Sequence, residues 1–237
     1  MRAAARPRPP MPSLKHIKST VTHLLRRGTG RPADAAAFPG SAAYWNQRYV
    51  QGGDSGVGSY GRFAAFKARV LNQLFVEHGV HSVVEFGCGD GNQLASLVVD
   101  DYLGVDVSPE AIARCRARFA GAPGRAFVLS GDYDDKRSHD AALSLDVVYH
   151  LTEDVVFESY MRRLFSAASK LVVVYSSNHE DGAQRAAAHV RHREFTRWVA
   201  AHAPGWRLQR HIPNEFPYKG DYRQGSFADF HVFVPAG

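Results

Sequence analysis

The sequence predicts an α/β fold in which a mostly parallel sheet is covered by helices on both faces. Three observations support this prediction. Short segments rich in Val, Phe and Leu alternate with longer segments of helical periodicity. A glycine-rich turn follows the first apolar segment, and an acidic residue ends the next one about 20 residues later. Alternation of strand and helix is typical of βαβ units, whose strands are parallel.

The composition is that of a globular domain of ordinary size. The 237 residues fit one domain, and 45% hydrophobic with 22% charged residues is a common globular balance. No apolar run approaches the ~20 residues that cross a membrane. The two cysteines, Cys88 and Cys115, match neither a disulfide framework nor a metal-site spacing. We therefore expect a reducing compartment, the cytoplasm.

The positive charge of the chain is concentrated at its start. Residues 1–33 contain eight Arg and Lys residues and no acidic residue, whereas the remaining 21 basic and 23 acidic residues give a net charge of −2. Nucleic-acid recognition requires Lys and Arg clustered on the folded surface. A slightly acidic body therefore argues against a nucleic-acid partner.

Residues 1–40 are predicted to form a basic, flexible tail, and residues 41–237 the folded domain. Between residues 13 and 27, apolar residues recur at helical spacing with Lys and Arg around them. Such a basic amphipathic helix suits an anionic membrane or a protein partner. The alternatives are a helix that docks on its own domain and a solvated tail.

The first predicted strand leads into the glycine-rich turn. Residues 83–86 are strand-forming and include Glu85, whose carboxylate can accept hydrogen bonds from hydroxyl or amino groups. The alternating Gly87, Gly89 and Gly91 allow a sharp turn and a close approach of the backbone to a ligand. A helix is expected next, and a strand, a glycine turn and a helix N-terminus together form a general cofactor cradle.

The second predicted strand, residues 102–106, ends in Asp106, where folds of this type bind ribose hydroxyls. Ser108 and Pro109 then cap and begin a helix, so Asp106 could instead stabilise that helix N-terminus. A glycine loop at residues 52–61 and a helix at 62–77 precede this region. The other predicted elements are strands at residues 126–129, 141–145, 171–175, 206–212 and 227–234 and helices at 109–119, 153–166 and 193–201.

The segment from Glu85 to Asn92, Glu-Phe-Gly-Cys-Gly-Asp-Gly-Asn, closely resembles the first motif of class I S-adenosylmethionine-dependent methyltransferases. The resemblance extends over roughly residues 41–237 through the order of strands and helices. It implies a Rossmann-like, seven-stranded methyltransferase sheet that is parallel with one antiparallel edge strand and has helices on both faces. It also implies S-adenosylmethionine as the cofactor.

The same resemblance implies roles for individual residues. The methionyl part of the cofactor is expected to cross the glycine turn, Asp106 to hold the ribose hydroxyls and Val107 to flank the adenine. Asp132 and Tyr133 are expected near the adenine amine. The segment before the first strand is expected to form a lid, although a mobile entry loop next to core aromatics is an equal alternative. Its candidate lid residues are Tyr44, Trp45, Ser59 and Tyr60. The predicted cofactor-binding residues are Glu85, Gly87, Cys88, Gly89, Gly91, Asn92, Asp106, Val107, Asp132, Tyr133 and Tyr44.

Residues 143–151 cover the end of the fourth strand and the following turn, which face the transferable methyl group in this fold. The segment resembles the E-V-x-E-H motif of ubiquinone-pathway O-methyltransferases and of small-RNA 3′-end 2′-O-methyltransferases. The acids and the histidine of that motif bind a divalent metal. Asp146 matches the first acid and His150 the histidine, while Tyr149 replaces the second acid.

A second histidine segment lies further along the chain. His192 precedes the Phe-Thr-Arg segment at residues 195–197, as a ligand histidine does in the small-RNA enzymes, and His189 is its rival. Two mechanisms fit: a metal ion lowers the pKa of the acceptor hydroxyl, or a histidine removes the proton as a general base. His150 could also be a structural residue that closes the turn. The predicted catalytic residues are His150, His192 and Asp146, and the predicted ligands for Mg²⁺ or Mn²⁺ are Asp146, His150, His189 and His192.

These observations predict an O-methyltransferase that acts on a hydroxyl of a sugar, a glycan terminus or another small polar metabolite. The histidine-rich edge supports it, as does the lack of the Asn/Asp-Pro-Pro-aromatic motif typical of methylation of base amino groups. The chain also resembles a bacterial group that shares its W-x-x-R-Y, G-S-Y-G and H-V-R-H segments and is associated with polysaccharide modification. The alternatives are an RNA 2′-O-methyltransferase and a non-catalytic cofactor-binding module that recruits a partner through residues 13–27.

Overall fold

The computed structural model describes residues 38–181 and 187–237, which lie within one compact unit from Phe38 to Gly237. The helix predicted at residues 13–27 lies outside the described residues. Within the described ranges, none of the helices is both long and apolar enough to cross a membrane.

The described residues form a seven-stranded sheet with the strand order β3-β2-β1-β4-β5-β7-β6. The strands are β1 (Ser82–Phe86), β2 (Asp101–Asp106), β3 (Arg125–Leu129), β4 (His139–Leu145), β5 (Ala168–Ser176), β6 (Trp206–Ile212) and β7 (Asp229–Pro235). Strands β1 to β5 pair in parallel, and β7 is antiparallel to both of its neighbours. The Rossmann-like methyltransferase fold is therefore confirmed. The antiparallel strand lies one place in from the edge, between β5 and β6.

Helices pack on both faces of this sheet. They are α1 (Ser41–Val50), α2 (Gly61–His78), α3 (Pro109–Arg118), α4 (Asp154–Ser166) and α5 (Phe195–His202). One apolar layer contains side chains from α2 and α3, and the other contains side chains from α4 and α5. Alternate residues of β5 enter the two layers, Leu171 and Val173 on one side and Val172 and Val174 on the other, as a pleated strand requires.

The direction of the chain through the sheet reverses between β1 and β4. Strands β1, β2 and β3 proceed outward on one side, and β4 and β5 proceed outward on the other. Neighbouring connections therefore leave the carboxyl ends of β1 and β4 in opposite directions, and a crevice opens between them. This is the place where open α/β sheets bind their ligands.

The helix expected directly after the glycine turn does not form. Only a short 3₁₀ turn, Leu94–Ser96, follows it before β2 begins at Asp101. Gly91 has a left-handed backbone with φ of +72°, and the Asp90 side chain accepts a hydrogen bond from the backbone N–H of Asn92 at 3.0 Å. These features continue the turn instead of starting a helix. The turn therefore presents backbone and side-chain groups to the crevice without a helix N-terminus.

Candidate active site

A cavity of about 410 Å³ lies at the carboxyl ends of β1, β2 and β4. The strand ends contribute Glu85, Phe86, Gly87, Cys88, Gly89, Val105, Asp106, Val107, Ser130, Leu145, Asp146 and Val147. The surrounding helices and turns contribute Ser41, Ala42, Trp45, Tyr49, Ser55, Ser59, Lys67, Gln93, His150, Leu151, Val155, Val156, Ser159, Tyr160 and Arg163. The predicted crevice is thus a walled cavity with a cofactor-sized interior.

The glycine turn forms one side of the cavity and needs its glycines for packing. Gly87 and Gly89 have φ values of +83° and +57°, which side chains rarely adopt. A Cβ atom at Gly87 would collide with Val147, and one at Gly89 would collide with Ser55 and Tyr49. Larger residues at these two positions would therefore push the surrounding walls apart.

Asp106 organises the turn from the end of β2. Its buried carboxylate accepts hydrogen bonds from the backbone N–H of Gly89 at 3.0 Å and of Ser108 at 2.9 Å. Burial raises the pKa of Asp106, and these backbone hydrogen bonds act in the opposite direction. An ionised carboxylate has about four lone-pair sites, so further hydroxyl donors can still be accepted.

Glu85 places a second carboxyl group on the same wall. The side chain is buried, and the Tyr102 hydroxyl donates a hydrogen bond to it at 2.5 Å. Burial raises the pKa of Glu85 to about 7. The group therefore loses its proton most readily when a cation lies beside it.

The loop before α2 is fastened to the glycine turn through Asp90. The Asp90 carboxylate accepts hydrogen bonds from the Tyr60 hydroxyl at 2.6 Å and from the Ser55 backbone N–H at 3.1 Å. Two of the four candidate lid residues, Trp45 and Ser59, lie on the cavity wall. The loop therefore lies over the cavity, and these hydrogen bonds hold it against the glycine turn.

Six of the eleven predicted cofactor residues line the cavity: Glu85, Gly87, Cys88, Gly89, Asp106 and Val107. Asp132 and Tyr133, which were predicted near the adenine amine, do not line this cavity, and their adenine contacts stay a prediction. Strand β3 ends at Leu129, and Ser130 is the next residue on the wall. The following turn leaves Asp132 exposed and packs Tyr133 edge-on against Phe86, with ring centroids 5.0 Å apart.

The other three predicted cofactor residues also lie off the wall. Gly91 packs against α3, and the Asn92 side chain donates a hydrogen bond to the backbone carbonyl of Ser59 at 2.6 Å. Tyr44 stacks on His189 with ring centroids 4.7 Å apart. These residues support the loops around the cavity instead of lining it.

A buried ion pair lies at the end of β4, on the opposite side of the cavity. Lys67 Nζ of α2 is 2.7 Å from Asp146 Oδ2, and the Tyr149 hydroxyl donates to Asp146 Oδ1 at 2.8 Å. The lysine side chain is only 1% exposed, and both charged residues line the cavity. The two opposite charges offset each other, so this wall is polar but close to neutral.

His150 follows the ion pair along the same wall. Its Nδ1 lies 2.9 Å from the backbone carbonyl of His189, which can only accept a hydrogen bond. Nδ1 therefore carries the proton and leaves Nε2 as the acceptor nitrogen. Burial lowers the pKa of His150 to about 4, so its imidazole is neutral at pH 7.

The arrangement of the described residues does not support the predicted metal site. Among residues 38–181 and 187–237, no group of three or more His, Cys, Asp or Glu side chains is arranged to hold a metal ion. Asp146 is paired with the Lys67 ammonium, and Tyr149 replaces a possible acid ligand. The donors therefore do not fit Mg²⁺ or Mn²⁺.

The two later histidines are not on the cavity wall. The backbone carbonyl of His189 accepts a hydrogen bond from His150. The His189 ring stacks between the rings of Tyr44 and His150. His192 Nδ1 lies 2.7 Å from Ser177 Oγ, and its ring stacks on His179 with centroids 4.5 Å apart. The structure therefore does not support the predicted ligand roles of both residues, and the catalytic role of His192 stays a prediction.

Lys67 is the principal site residue that the sequence prediction missed. The helical period places it on the apolar face of α2, between Phe63 and Leu71. A lysine on a core-facing stripe must find a buried partner, because an isolated buried charge is costly. The position of Lys67 on the apolar face therefore indicated a buried partner. The sequence did not identify that partner, because Asp146 is 79 positions away.

Comparisons with known proteins agree with this architecture. A family model described as a methyltransferase domain matches residues 84–173. In sequence, the chain is 30% identical over 120 residues to a small RNA 2′-O-methyltransferase from Arabidopsis thaliana. That match covers 44% of this chain and 13% of the length of the plant protein.

Solved methyltransferase structures are similar to nearly the whole described domain. The N-methyltransferase NodS from Bradyrhizobium japonicum WM9, in complex with S-adenosylhomocysteine, has a TM-score of 0.66 at 14% identity, with 83% of this chain and 99% of that chain covered. The methyltransferase domain of bacterial CtHen1-C has a TM-score of 0.55 at 22% identity, with 72% and 97% covered. At these identities the similarity shows a shared fold.

Proposed function

Because the chain is a class I S-adenosylmethionine-dependent methyltransferase, we propose that it methylates a hydroxyl oxygen of a small polar molecule such as a sugar or a glycan terminus. The observation that carries this proposal is the state of His150. A neutral imidazole whose acceptor nitrogen is Nε2 shares the cavity with the glycine turn. A hydroxyl needs such an acceptor for its proton when it attacks a methyl group.

The cofactor side of the cavity fits S-adenosylmethionine. Asp106 offers carboxylate lone pairs to ribose hydroxyls, and Glu85 offers a carboxylate to a cationic amino group. The tightly packed turn at Gly87 and Gly89 keeps side chains out of the space between them. When bound, the cofactor supplies an electrophilic methyl group on its sulfonium.

The residues of the acceptor side orient the hydroxyl and take its proton. The His189 carbonyl fixes the tautomer of His150, so that Nε2 is always the accepting nitrogen. A positioned base contributes about 10²–10⁴-fold to a rate and contributes most when its pKa is near the working pH, so the low pKa of His150 places its contribution at the lower end, about 10²-fold. Val147 and Leu151 line the cavity beside the base and reduce the access of water.

The charges on the wall favour a small neutral acceptor. Lys67 is paired with Asp146, and Arg163 is paired with Asp135 at 2.7 Å. These are the two basic residues among those that line the cavity in the described part of the chain. A phosphate backbone would find little uncompensated positive charge here.

Similarity to the Arabidopsis enzyme favours a second candidate, methylation of an RNA 2′-hydroxyl. The chemistry at the reacting oxygen would be the same, and the two candidates differ in the size and charge of the acceptor. An RNA acceptor would need positive charge from outside the cavity.

A transfer assay with S-[methyl-³H]adenosylmethionine separates these acceptors. Three sets of compounds are incubated with the protein: methyl glycosides, a 22-nucleotide RNA with a free 3′ end, and primary alkylamines. We expect tritium in a methyl glycoside, with the methyl ether identified by mass spectrometry. Transfer to the RNA alone would select the second candidate, and transfer to the amines alone would contradict O-methylation.

A further inference from the structure

The ion pair between Lys67 and Asp146 is not explained by cofactor binding or by proton removal. Lys67 Nζ lies 2.7 Å from Asp146 Oδ2, with side-chain exposures of 1% and 14%. Both residues line the cavity that contains His150. Burial of an ion pair contributes little net stability compared with apolar packing, so a purely structural origin is unfavourable.

The carboxylate of this pair is held in a constrained position. Asp146 has a left-handed backbone with φ of +59°, and among the described residues it is the only non-glycine residue with a positive φ. Its backbone N–H donates to the Tyr175 carbonyl at 2.9 Å, and the Tyr149 hydroxyl fixes Oδ1. Backbone strain of this kind is concentrated at functional sites, where surrounding contacts maintain it.

We infer that the Lys67 ammonium binds the oxygen that becomes methylated, an inference that rests on the proposed function. An ammonium group has three N–H donors, and Asp146 occupies one of them. The ring of Tyr175, whose centroid is 5.3 Å from Nζ, faces a second side of the ammonium, so one N–H is left for an oxygen in the cavity. Lys67 thus provides the positive charge for which the sequence predicted a metal ion.

The step balances without any further reagent. The acceptor O–H bond breaks and its proton moves to His150 Nε2. The same oxygen forms a bond to the methyl carbon as the bond between that carbon and sulfur breaks, and the bonding electrons remain on sulfur. Lys67 keeps its protons throughout and stabilises the negative charge that develops on the oxygen.

The pair also points to the chemical class of the acceptor, a vicinal diol. A donor on Lys67 and an acceptor on Asp146 lie side by side at 2.7 Å. One hydroxyl oxygen can accept from the ammonium while the neighbouring hydroxyl donates to the carboxylate. A sugar ring offers such neighbouring hydroxyls, and a deoxy sugar that lacks one of them would lose one of the two contacts.

The test compares Asp146→Asn with the double variant Lys67→Met/Asp146→Asn. Asp146→Asn leaves the buried Lys67 amine without its carboxylate partner, and the double variant removes both charged groups, so the comparison tests the lysine with Asp146 replaced in both proteins. The control is Lys170→Met, which removes the lysine of another Lys–Asp pair, with Asp140 at 3.0 Å on the surface. Folding is checked by thermal melting and by calorimetric binding of S-adenosylhomocysteine. The rate is measured with methyl glycosides in EDTA, and Mn²⁺ binding to wild type is measured by electron paramagnetic resonance.

We expect the double variant to bind S-adenosylhomocysteine but to lose about 10²–10³-fold in kcat relative to Asp146→Asn, the usual effect of removing a charge-stabilising donor. We expect wild type to be insensitive to EDTA and the 2- or 3-deoxy glycosides to react more slowly. Equal rates for the two variants would overturn the inference, as would Mn²⁺ binding that Asp146→Asn abolishes. If wild type methylates no hydroxyl compound, the proposed function fails first, and the inference fails with it.

Discussion

The two sides of the cavity are built in different ways. The cofactor side is local in sequence: β1, the glycine turn and the end of β2 bring Glu85, Gly89 and Asp106 together through neighbouring parallel strands. The acceptor side depends on contacts between distant segments, since Lys67 and Asp146 are 79 positions apart and His150 and His189 are 39 apart. A shared cofactor is therefore recognised by a compact motif, whereas acceptor recognition depends on how separate elements pack.

The two sides of the cavity also differ in their charged groups. Glu85 and Asp106 are buried carboxyl groups whose pKa values are raised by burial, so the cofactor side carries two carboxyl groups that a cationic group would stabilise in the ionised form. The acceptor side contains the Lys67 ammonium, which is paired with Asp146. The proposed function assigns a cationic cofactor to the first side and a neutral hydroxyl to the second.

The largest effect is expected from His150→Ala, which acts on the acceptor side alone. Removing the proton acceptor should lower kcat by about 10²-fold, the lower end for a general base, and leave the affinity for S-adenosylhomocysteine unchanged. The matched control is His81→Ala, because His81 is an exposed histidine paired with Asp100. In wild type, the low pKa of His150, about 4, should keep kcat constant from pH 8 to pH 6. A parallel loss of cofactor affinity in His150→Ala would contradict the separation of the two sides.

Gly89→Ala should act on the cofactor side. Its Cβ would collide with Ser55 and Tyr49, and we expect S-adenosylhomocysteine to bind about 10- to 100-fold more weakly because overpacking costs about 1–3 kcal/mol. Gly121→Ala is the control, since Gly121 also has a positive φ, +76°, but has open space where the Cβ would lie. Calorimetry of both variants separates crowding at the turn from backbone strain. Equal losses in the two variants would show that strain, and not the shape of the cavity, is responsible.

The pH dependence of cofactor binding should sharpen the role of Glu85. Because the pKa of Glu85 is about 7, this carboxyl group is largely protonated in the free protein below pH 7, and the ammonium group of the ligand must displace that proton. Affinity for S-adenosylhomocysteine should therefore fall by up to about tenfold per pH unit below 7. Calorimetry at pH 6, 7 and 8 should show this trend in wild type and no trend in Glu85→Gln. A trend that persists in Glu85→Gln would assign it to another group.

The same shift also affects the stability of the free protein, and its sign follows from linkage. The pKa of Glu85 is raised in the folded state, so its stabilising contribution is present below its ordinary value of 4.5 and is lost as the pH rises through about 7. The ammonium group of bound S-adenosylhomocysteine opposes that loss of stability. Thermal melting at pH 6 and pH 8 should therefore show a larger stabilisation by S-adenosylhomocysteine at pH 8.

The smallest effect is expected at Val107, where the prediction of an adenine contact stays a prediction. This residue lines the cavity and is 45% exposed. Val107→Ala removes apolar surface and should weaken S-adenosylhomocysteine by about 2- to 5-fold. Val98→Ala is the control because Val98 is exposed but does not line the cavity. Calorimetry that finds no difference between the two variants would remove Val107 from the binding site.

Sequence patterns predicted the fold because it depends on short-range signals, and six of the eleven predicted cofactor residues line the cavity. Alternating strands and helices, the serine cap of α3 and the order Glu85, Gly87, Asp106 are all local features, and the Ser108 cap is present with Ala111 N–H donating at 3.3 Å. The helix expected after the glycine turn was wrong because the turn continues through Gly91 and Asn92 and only a 3₁₀ turn precedes β2.

The acceptor side could be predicted only in part. Asp146 and His150 were identified from one segment, and both lie on the cavity wall. Their partner could not be identified in this way, because the order of the sheet, not the spacing of residues, brings Lys67 of α2 to the end of β4. The acid and the histidines predicted a metal ion, because the sequence did not show that Lys67 is the partner of Asp146.

The account depends most directly on calorimetric titration of S-adenosylhomocysteine into wild type and Asp106→Ala, each with and without EDTA. We predict that wild type binds one equivalent whether or not EDTA is present. We predict that Asp106→Ala loses most of the affinity, because its carboxylate holds the turn through Gly89 and is the proposed acceptor for ribose hydroxyls. Absence of binding to wild type, or equal binding to the two proteins, would contradict the assignment of this cavity to the cofactor.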